Sequence, residues 1–192
     1  QHSVATTQLR DAGISPAVLR GLRAKDLAQE CLLQQPAQPA SSKPGLSLNP
    51  EQASIINALH NAGEGFSCHL LEGVTGSGKT EIYLQLIDRC LQHGKQALVL
   101  IPEIGLTPQT LQRFQQRFSA SIVVFHSGLG EAQRYRAWEA ARSGSAHIVI
   151  GTRSAIFTPL HQPGLIIVDE EHDGSYKQQD GFRYSARDVA VK

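Results

Sequence analysis

Two runs in this chain, Ala97-Leu98-Val99-Leu100-Ile101 and Leu165-Ile166-Ile167-Val168, are apolar at every position. A strand with one wet face alternates apolar and polar residues. A run with no polar member needs cover on both faces, the condition of a parallel sheet sandwiched between helices. Around these runs, strand-length apolar stretches alternate with amphipathic helical spacing. Strands are expected at 67–72, 96–101, 122–126, 147–151 and 164–169, and helices at 78–93, 107–118 and 131–142. The fold class that follows is α/β, with a parallel sheet and helices on both sides. At 192 residues, 41% hydrophobic and 18% charged, the chain has material for one ample domain and a small appendage.

Gly73-Val74-Thr75-Gly76-Ser77-Gly78-Lys79-Thr80 fits the phosphate-cradling pattern G-x-x-x-x-G-K-[ST] between an expected strand and an expected helix. Gly73, Gly76 and Gly78, with Thr75 and Ser77 between them, allow successive backbone N–H groups to converge on phosphate oxygens. Lys79 brings a mobile cation to the β- and γ-phosphates, and the Thr80 hydroxyl is a ligand for Mg²⁺. ATP or ADP with Mg²⁺ is therefore the expected cofactor. Asp169-Glu170-Glu171-His172 follows the second apolar run directly, which sets its carboxylates at the carboxyl end of a buried strand, where open α/β sheets bind ligands. Asp169 is expected to complete the metal site and Glu170 to act as general base. With Lys79 and His172 they form the expected catalytic set, although His172 reads equally as a structural hydrogen-bond donor.

The remaining composition narrows the class. A formal net charge of +1 gives no global attraction to polyanions, so any nucleic-acid site has to be local. Cys31, Cys68 and Cys90 are far apart and odd in number, which supports neither a zinc cluster nor a disulfide framework; reduced, mostly buried thiols are expected. No apolar run approaches the ~20 residues needed to cross a bilayer, and a cytoplasmic location is expected, with no membrane partner. The chain has no Met, begins at Gln1 and stops at Lys192 inside a helical pattern that starts near Ser185, so it reads as a piece of something longer.

Three segments are expected. Residues 1–34 carry two short helical patterns split by Ala12-Gly13 and Ser15-Pro16, a helix-turn-helix outline that reads either as part of a DNA-binding winged helix or as a small helical packing element. Residues 35–48, rich in Pro, Gln, Ala and Ser, suit an extended linker. Residues 49–192 form the α/β unit, opening with Asn49-Pro50 as cap and first helical residue of a helix through about Ala62.

The Asp-Glu-Glu-His stretch after an apolar strand resembles motif II of superfamily 2 helicases of the DExH type, and other segments agree with that resemblance. Gln52, ahead of the phosphate loop, resembles the glutamine that reads adenine; a polar residue on a helix surface is the alternative. Residues 101–109 resemble motif Ia and residues 151–155 resemble motif Ib, which implies contacts of Thr107, Thr152, Arg153 and Ser154 with a single-strand backbone. Their residue types suit phosphate contacts, and equally suit turn and helix-cap chemistry. Residues 175–188 are similar to the aromatic-rich loop of the bacterial primosomal helicases, whose members unwind forked DNA 3′-to-5′ to restart replication. Tyr176, Lys177, Phe182, Arg183, Tyr184 and Arg187 are then expected to stack on bases and hold phosphates, with a packing loop as the alternative. Trp138 reads as core or half-buried instead of a stacking group.

The resemblance spans residues 46–192, while residues 12–30 are similar to the later part of that family's winged helix. It implies a RecA-like lobe, with single-stranded and forked DNA, other primosome proteins and single-strand-binding protein as partners of the parent. A second lobe with transition-state arginines and the zinc-binding cysteines near it have no counterpart in this sequence. Nucleotide binding with little turnover, and no zinc, is therefore expected. A duplex DNA translocase of the same superfamily and a nucleotide-dependent scaffold module are the alternatives.

Overall fold

Residues 6–25, 27–28, 41–61, 65–74 and 76–192 are described in a computed structural model, in which the chain divides into two units, 1–36 and 37–192. In the first unit, α1 (Thr6–Asp11) and α2 (Pro16–Ala24) are joined by a turn in which Gly13 has a φ of 81°. Ser15 Oγ accepts the Val18 amide, and Pro16 takes the first helical position, where a missing N–H leaves nothing unsatisfied. No residue of α2 is buried. Val4, Glu30 and Cys31 lie outside the described residues, as does the 35–40 part of the expected linker.

Residues 41–48 are extended, yet they are a strap and not a free linker. Ser42 pairs with Phe118 in an antiparallel bridge, the Lys43 amide donates to the Arg117 carbonyl (2.8 Å), and the Leu46 amide donates to Glu81 (3.2 Å). Composition argued correctly against regular structure here, but backbone groups lying on a folded surface still take partners from it.

The second unit continues with α3 (Pro50–His60), whose start is closed by a reciprocal cap. Asn49 Oδ1 accepts the Gln52 amide (2.8 Å), while Gln52 Oε1 accepts the Asn49 amide (3.0 Å). Then follow α4 (Lys79–Gln92), β1 (Gln96–Leu100), α5 (Pro108–Arg117), β2 (Ile122–Phe125), α6 (Glu131–Arg142), β3 (Ile148–Gly151) and β4 (Pro163–Val168). A two-stranded antiparallel hairpin of β5 (Lys177–Gln178) and β6 (Tyr184–Ser185) leads into α7 (Ala186–Ala190).

The four longer strands form one parallel sheet in the order β2-β3-β1-β4. Side chains alternate across it. Ala97, Val99, Ile148, Ile150 and Ile167 pack with α4 and α5 on one face, and Leu98, Leu100 and Val149 pack with Ala141, Ala155, Tyr176 and Ala186 on the other. The all-apolar run of β1 is buried throughout, as an interior strand requires. The run in β4 is not: it is an edge strand, and Ile166 remains 40% exposed.

The expected strand at 67–72 does not form. Residues 66–74 carry no regular structure, and Phe66 and Leu70 are exposed. An apolar run becomes a strand only by pairing with an edge, and this segment is paired with none of the sheet's strands.

Register decides what the sheet can carry. Leu100 stands level with Gly151 and Val168, and Phe125 with Gly151, so the carboxyl ends of all four strands finish at one rim. Residues 102–105, 126–127, 152–154 and 169–170 follow these ends and are brought together there. At the opposite end, buried Gln96 acts as a clamp. Its Nε2 donates to the carbonyls of Ala141 (3.0 Å) and Ala146 (2.6 Å), and its Oε1 accepts the Gln162 amide (2.9 Å).

Candidate nucleotide site and nucleic-acid interface

The phosphate loop turns into α4 through Gly76 and Gly78, whose φ values of 82° and 86° lie where a side chain is strained. A Cβ at Gly78 would also stand 2.3 Å from Gln52 Nε2, so the end of that side chain would have to shift. That amide donates to the Ser77 carbonyl (3.2 Å), so Gln52 ties α3 to the loop as well as capping its own helix. Lys79 Nζ donates to the Gly73 carbonyl, which rests the ammonium on its own loop. Thr75 lies outside the described residues.

Gly76, Ser77, Gly78, Lys79 and Thr80 line one cavity of about 690 Å³ together with Asp169 and Glu170. The Asp169 amide donates to the Leu100 carbonyl (2.9 Å), extending the ladder one step past β4 and setting its carboxylate at the rim. Burial raises the Asp169 pKa, the Glu170 charge adds to this, and a hydrogen bond from Tyr83 and the charge of Lys79 oppose it. Lys79 and Asp169 are thus within electrostatic reach of each other. The donor set fits Mg²⁺-nucleotide: amides at a helix start, the Lys79 ammonium, the Thr80 hydroxyl and the Asp169 carboxylate line a shared space.

Glu170 is the only non-glycine residue among those described with positive φ, at 46°. That turns the chain sharply just after Asp169, and Glu170 Oε2 lies 3.7 Å from His172 Nε2, both side chains being solvent-accessible.

Tyr83 is a site residue that the sequence-based expectations do not include. It lies four residues beyond Lys79 on α4, hence on the same helical face, and that spacing is the available signal. Burial, and then the Asp169 charge it donates to, push its pKa well up, so it stays a neutral donor.

The expected strand-contacting residues part ways. Tyr176 is 1% exposed, which leaves it no face for a base; its hydroxyl donates to the Asp169 carbonyl (2.7 Å). Thr152 is 5% exposed, and Thr107 spends its hydroxyl on capping α5, accepting the Thr110 amide (3.2 Å). Arg153 Nη1 donates to the carbonyls of Ser175 (3.1 Å) and Lys177 (2.8 Å), fastening the aromatic-rich segment to the 153–157 turn. Arg187 Nη1 pairs with Glu171 at 2.9 Å, a second tie between that segment and the acidic stretch. Several of the groups that the sequence motifs single out turn inward, because the rim satisfies its own carbonyls and amides first.

Ser154, Lys177, Phe182 and Arg183 are exposed. Phe182 and Tyr184 gather with Phe157, which sequence reading missed: its ring centroid is 4.8 Å from that of Tyr184 and 6.5 Å from that of Phe182. Trp138, expected in the core or half-buried, is 37% exposed on α6. Of the cysteines, Cys90 is buried as expected, but Cys68 is exposed in the unpaired 66–74 segment.

A DEAD/DEAH box helicase family model matches residues 49–191. Over 148 residues the chain is 60% identical to the replication restart protein PriA of Haemophilus influenzae, covering 76% of this chain and 20% of that relative. It is 46% identical over 149 residues to PriA of Bacillus subtilis (77% and 18%) and 51% identical over 162 residues to PriA of a Synechocystis species (84% and 19%). The chain therefore spans about a fifth of the length of the curated relatives it matches. With its phosphate loop and its Asp169-Glu170-Glu171-His172 stretch on one rim of a parallel sheet, the chain belongs to the DEAD/DEAH box helicase family.

Proposed function

We propose that this chain is the ATP-binding lobe of a cytoplasmic DNA helicase that works 3′-to-5′ on forked DNA in replication restart. The observation that carries the reading is the single cavity shared by Lys79, Thr80, Asp169 and Glu170. Family membership itself implies nucleotide binding. Bound ATP with Mg²⁺ supplies the phosphoanhydride to be cleaved and partial neutralisation of its charge.

The chain's own groups have separate tasks. Lys79 leaves the Gly73 carbonyl for a phosphate oxygen, a stronger acceptor. Thr80 and Asp169 hold the metal, and Tyr83 keeps the Asp169 carboxylate oriented. Glu170 takes a proton from the attacking water, with His172 beside it. Gln52 selects adenine when it is freed from the Ser77 carbonyl. Lys177, Phe182, Arg183 and Tyr184 face the DNA strand, along with Ser154; the Tyr176–Asp169 and Arg187–Glu171 bonds carry their state to the hydrolytic residues. In the parent, the 1–34 element contributes to a winged helix, and other primosome proteins and single-strand-binding protein are the partners.

Titration with Mg²⁺-ADP tests the first step. Lys79→Ala is expected to weaken binding roughly ten- to a hundredfold, the worth of a charge-assisted hydrogen bond of about 1.5–3 kcal/mol. Equal affinity in the two proteins overturns the assignment of the pocket.

A further inference from the structure

A second cavity, of about 460 Å³, opens at the rim ends of β2 and β3, away from the phosphate loop. It has the dimensions of small-molecule pockets, about 300–1,000 Å³. Trp138 of α6 and Phe157 of the 153–157 turn both line it, and both expose part of their rings. Neither ring is loose. Trp138 stacks on Tyr135 (centroids 6.4 Å, planes 18° apart) with the Arg142 guanidinium 5.4 Å from its centre, and Phe157 is braced by Tyr184 and Phe182.

Polar groups complete the lining. His126 Nδ1 accepts the Gly128 amide (3.1 Å), which leaves the proton of the neutral ring on Nε2 as a donor. Ser127 and Ser154 offer hydroxyls, and Arg134 supplies an exposed cation, against Glu103 as the one carboxylate of the lining. Held aromatic rings, neutral donors and a cation at the border match a flat heteroaromatic ring with carbonyl acceptors and an adjoining phosphate. From this we infer that the cleft lined by Trp138 and Phe157 takes an unstacked nucleobase of a bound single strand. The inference rests on the reading of the rim as a DNA interface and adds a separate base-capture cleft to the strand contacts proposed for the aromatic-rich segment.

Trp138 is the sole tryptophan of the chain, so its fluorescence reports on this cleft alone. The chain is titrated with an end-labelled oligothymidylate and with an abasic oligonucleotide of the same length, following label anisotropy for binding and tryptophan emission for stacking. Both are expected to bind, the thymidylate about tenfold tighter, and only the thymidylate to quench Trp138. Trp138→Leu is expected to abolish the tenfold preference while leaving abasic affinity within about twofold, and Trp138→Phe to retain it. Mg²⁺-ADP binding by each variant verifies the fold.

Thymidylate binding without quenching, or a preference that survives in both Trp138→Leu and Phe157→Leu, overturns base capture and leaves the strand interface standing. Failure of both oligonucleotides to bind overturns the interface and the base cleft together.

Discussion

Gly78 shows how closely one residue is specified. Its φ of 86° and the 2.3 Å that would separate an added Cβ from Gln52 Nε2 act against any side chain. Gly78→Ala is expected to lower stability by about 1–2 kcal/mol in urea unfolding, the usual cost of a left-handed alanine. A variant as stable as wild type would show that the loop relaxes freely. Cysteine chemistry gives a second test. Burial pushes the Cys90 thiol up to about 11, so it is neutral at pH 8 and favours folding there; that contribution is lost only as pH rises through the folded value. Iodoacetamide at pH 8 is expected to label Cys68 in the native protein and to label Cys90 only after unfolding, as read by peptide mass mapping.

Elements depend on a few polar clamps as much as on apolar faces. Gln96 holds the carboxyl end of α6, the turn after it and the approach to β4 with three side-chain hydrogen bonds in a buried setting. Gln96→Leu keeps the bulk but orphans the Ala146 carbonyl and the Gln162 amide, the Ala141 carbonyl still accepting the Gly144 amide. A loss of about 2 kcal/mol or more is expected in chemical denaturation, since each buried unsatisfied group costs about 1–3 kcal/mol. The hairpin of β5 and β6 is too short to stand alone. It is held by Arg153 on one side and by buried Tyr176 on the other, which makes the aromatic-rich segment part of the lobe and not a loose appendage.

For the molecule as a whole, the rim organises function. The proposed nucleotide and strand sites lie along the same line of strand ends, and Tyr176 and Arg187 join the aromatic-rich segment to residues 169–171. Mg²⁺-ADP at a hundredfold excess over the wild-type Kd is expected to stabilise the chain by about 2.7 kcal/mol, a rise in Tm of roughly 5–10 °C, and at the same concentration to stabilise Lys79→Ala by only about 0.4–1.4 kcal/mol. Turnover of Mg²⁺-ATP by the chain alone is expected to be about 10³–10⁵ below that of a motor with its arginine finger in place, because the resemblance assigns those arginines to a second lobe. A steady-state assay giving the rate of a complete DNA-stimulated helicase would refute this.

What the sequence determined unaided is whatever depends on near neighbours in the chain. The α/β class, the bounds of α6, the caps at Ser15, Asn49 and Thr107, and the phosphate-loop turn all follow from periodicity and backbone preference within a few residues. Tertiary structure alone decided what strand order and register control: that β1 is interior and β4 an edge, that residues 67–72 pair with nothing, and that Tyr176 turns under the sheet. It also brought Trp138 and Phe157, nineteen positions apart in the chain, to the lining of one cavity. The reason is physical. A side chain's partner across a sheet is fixed by which edges meet, and an apolar run states only that it needs a partner, without saying which one.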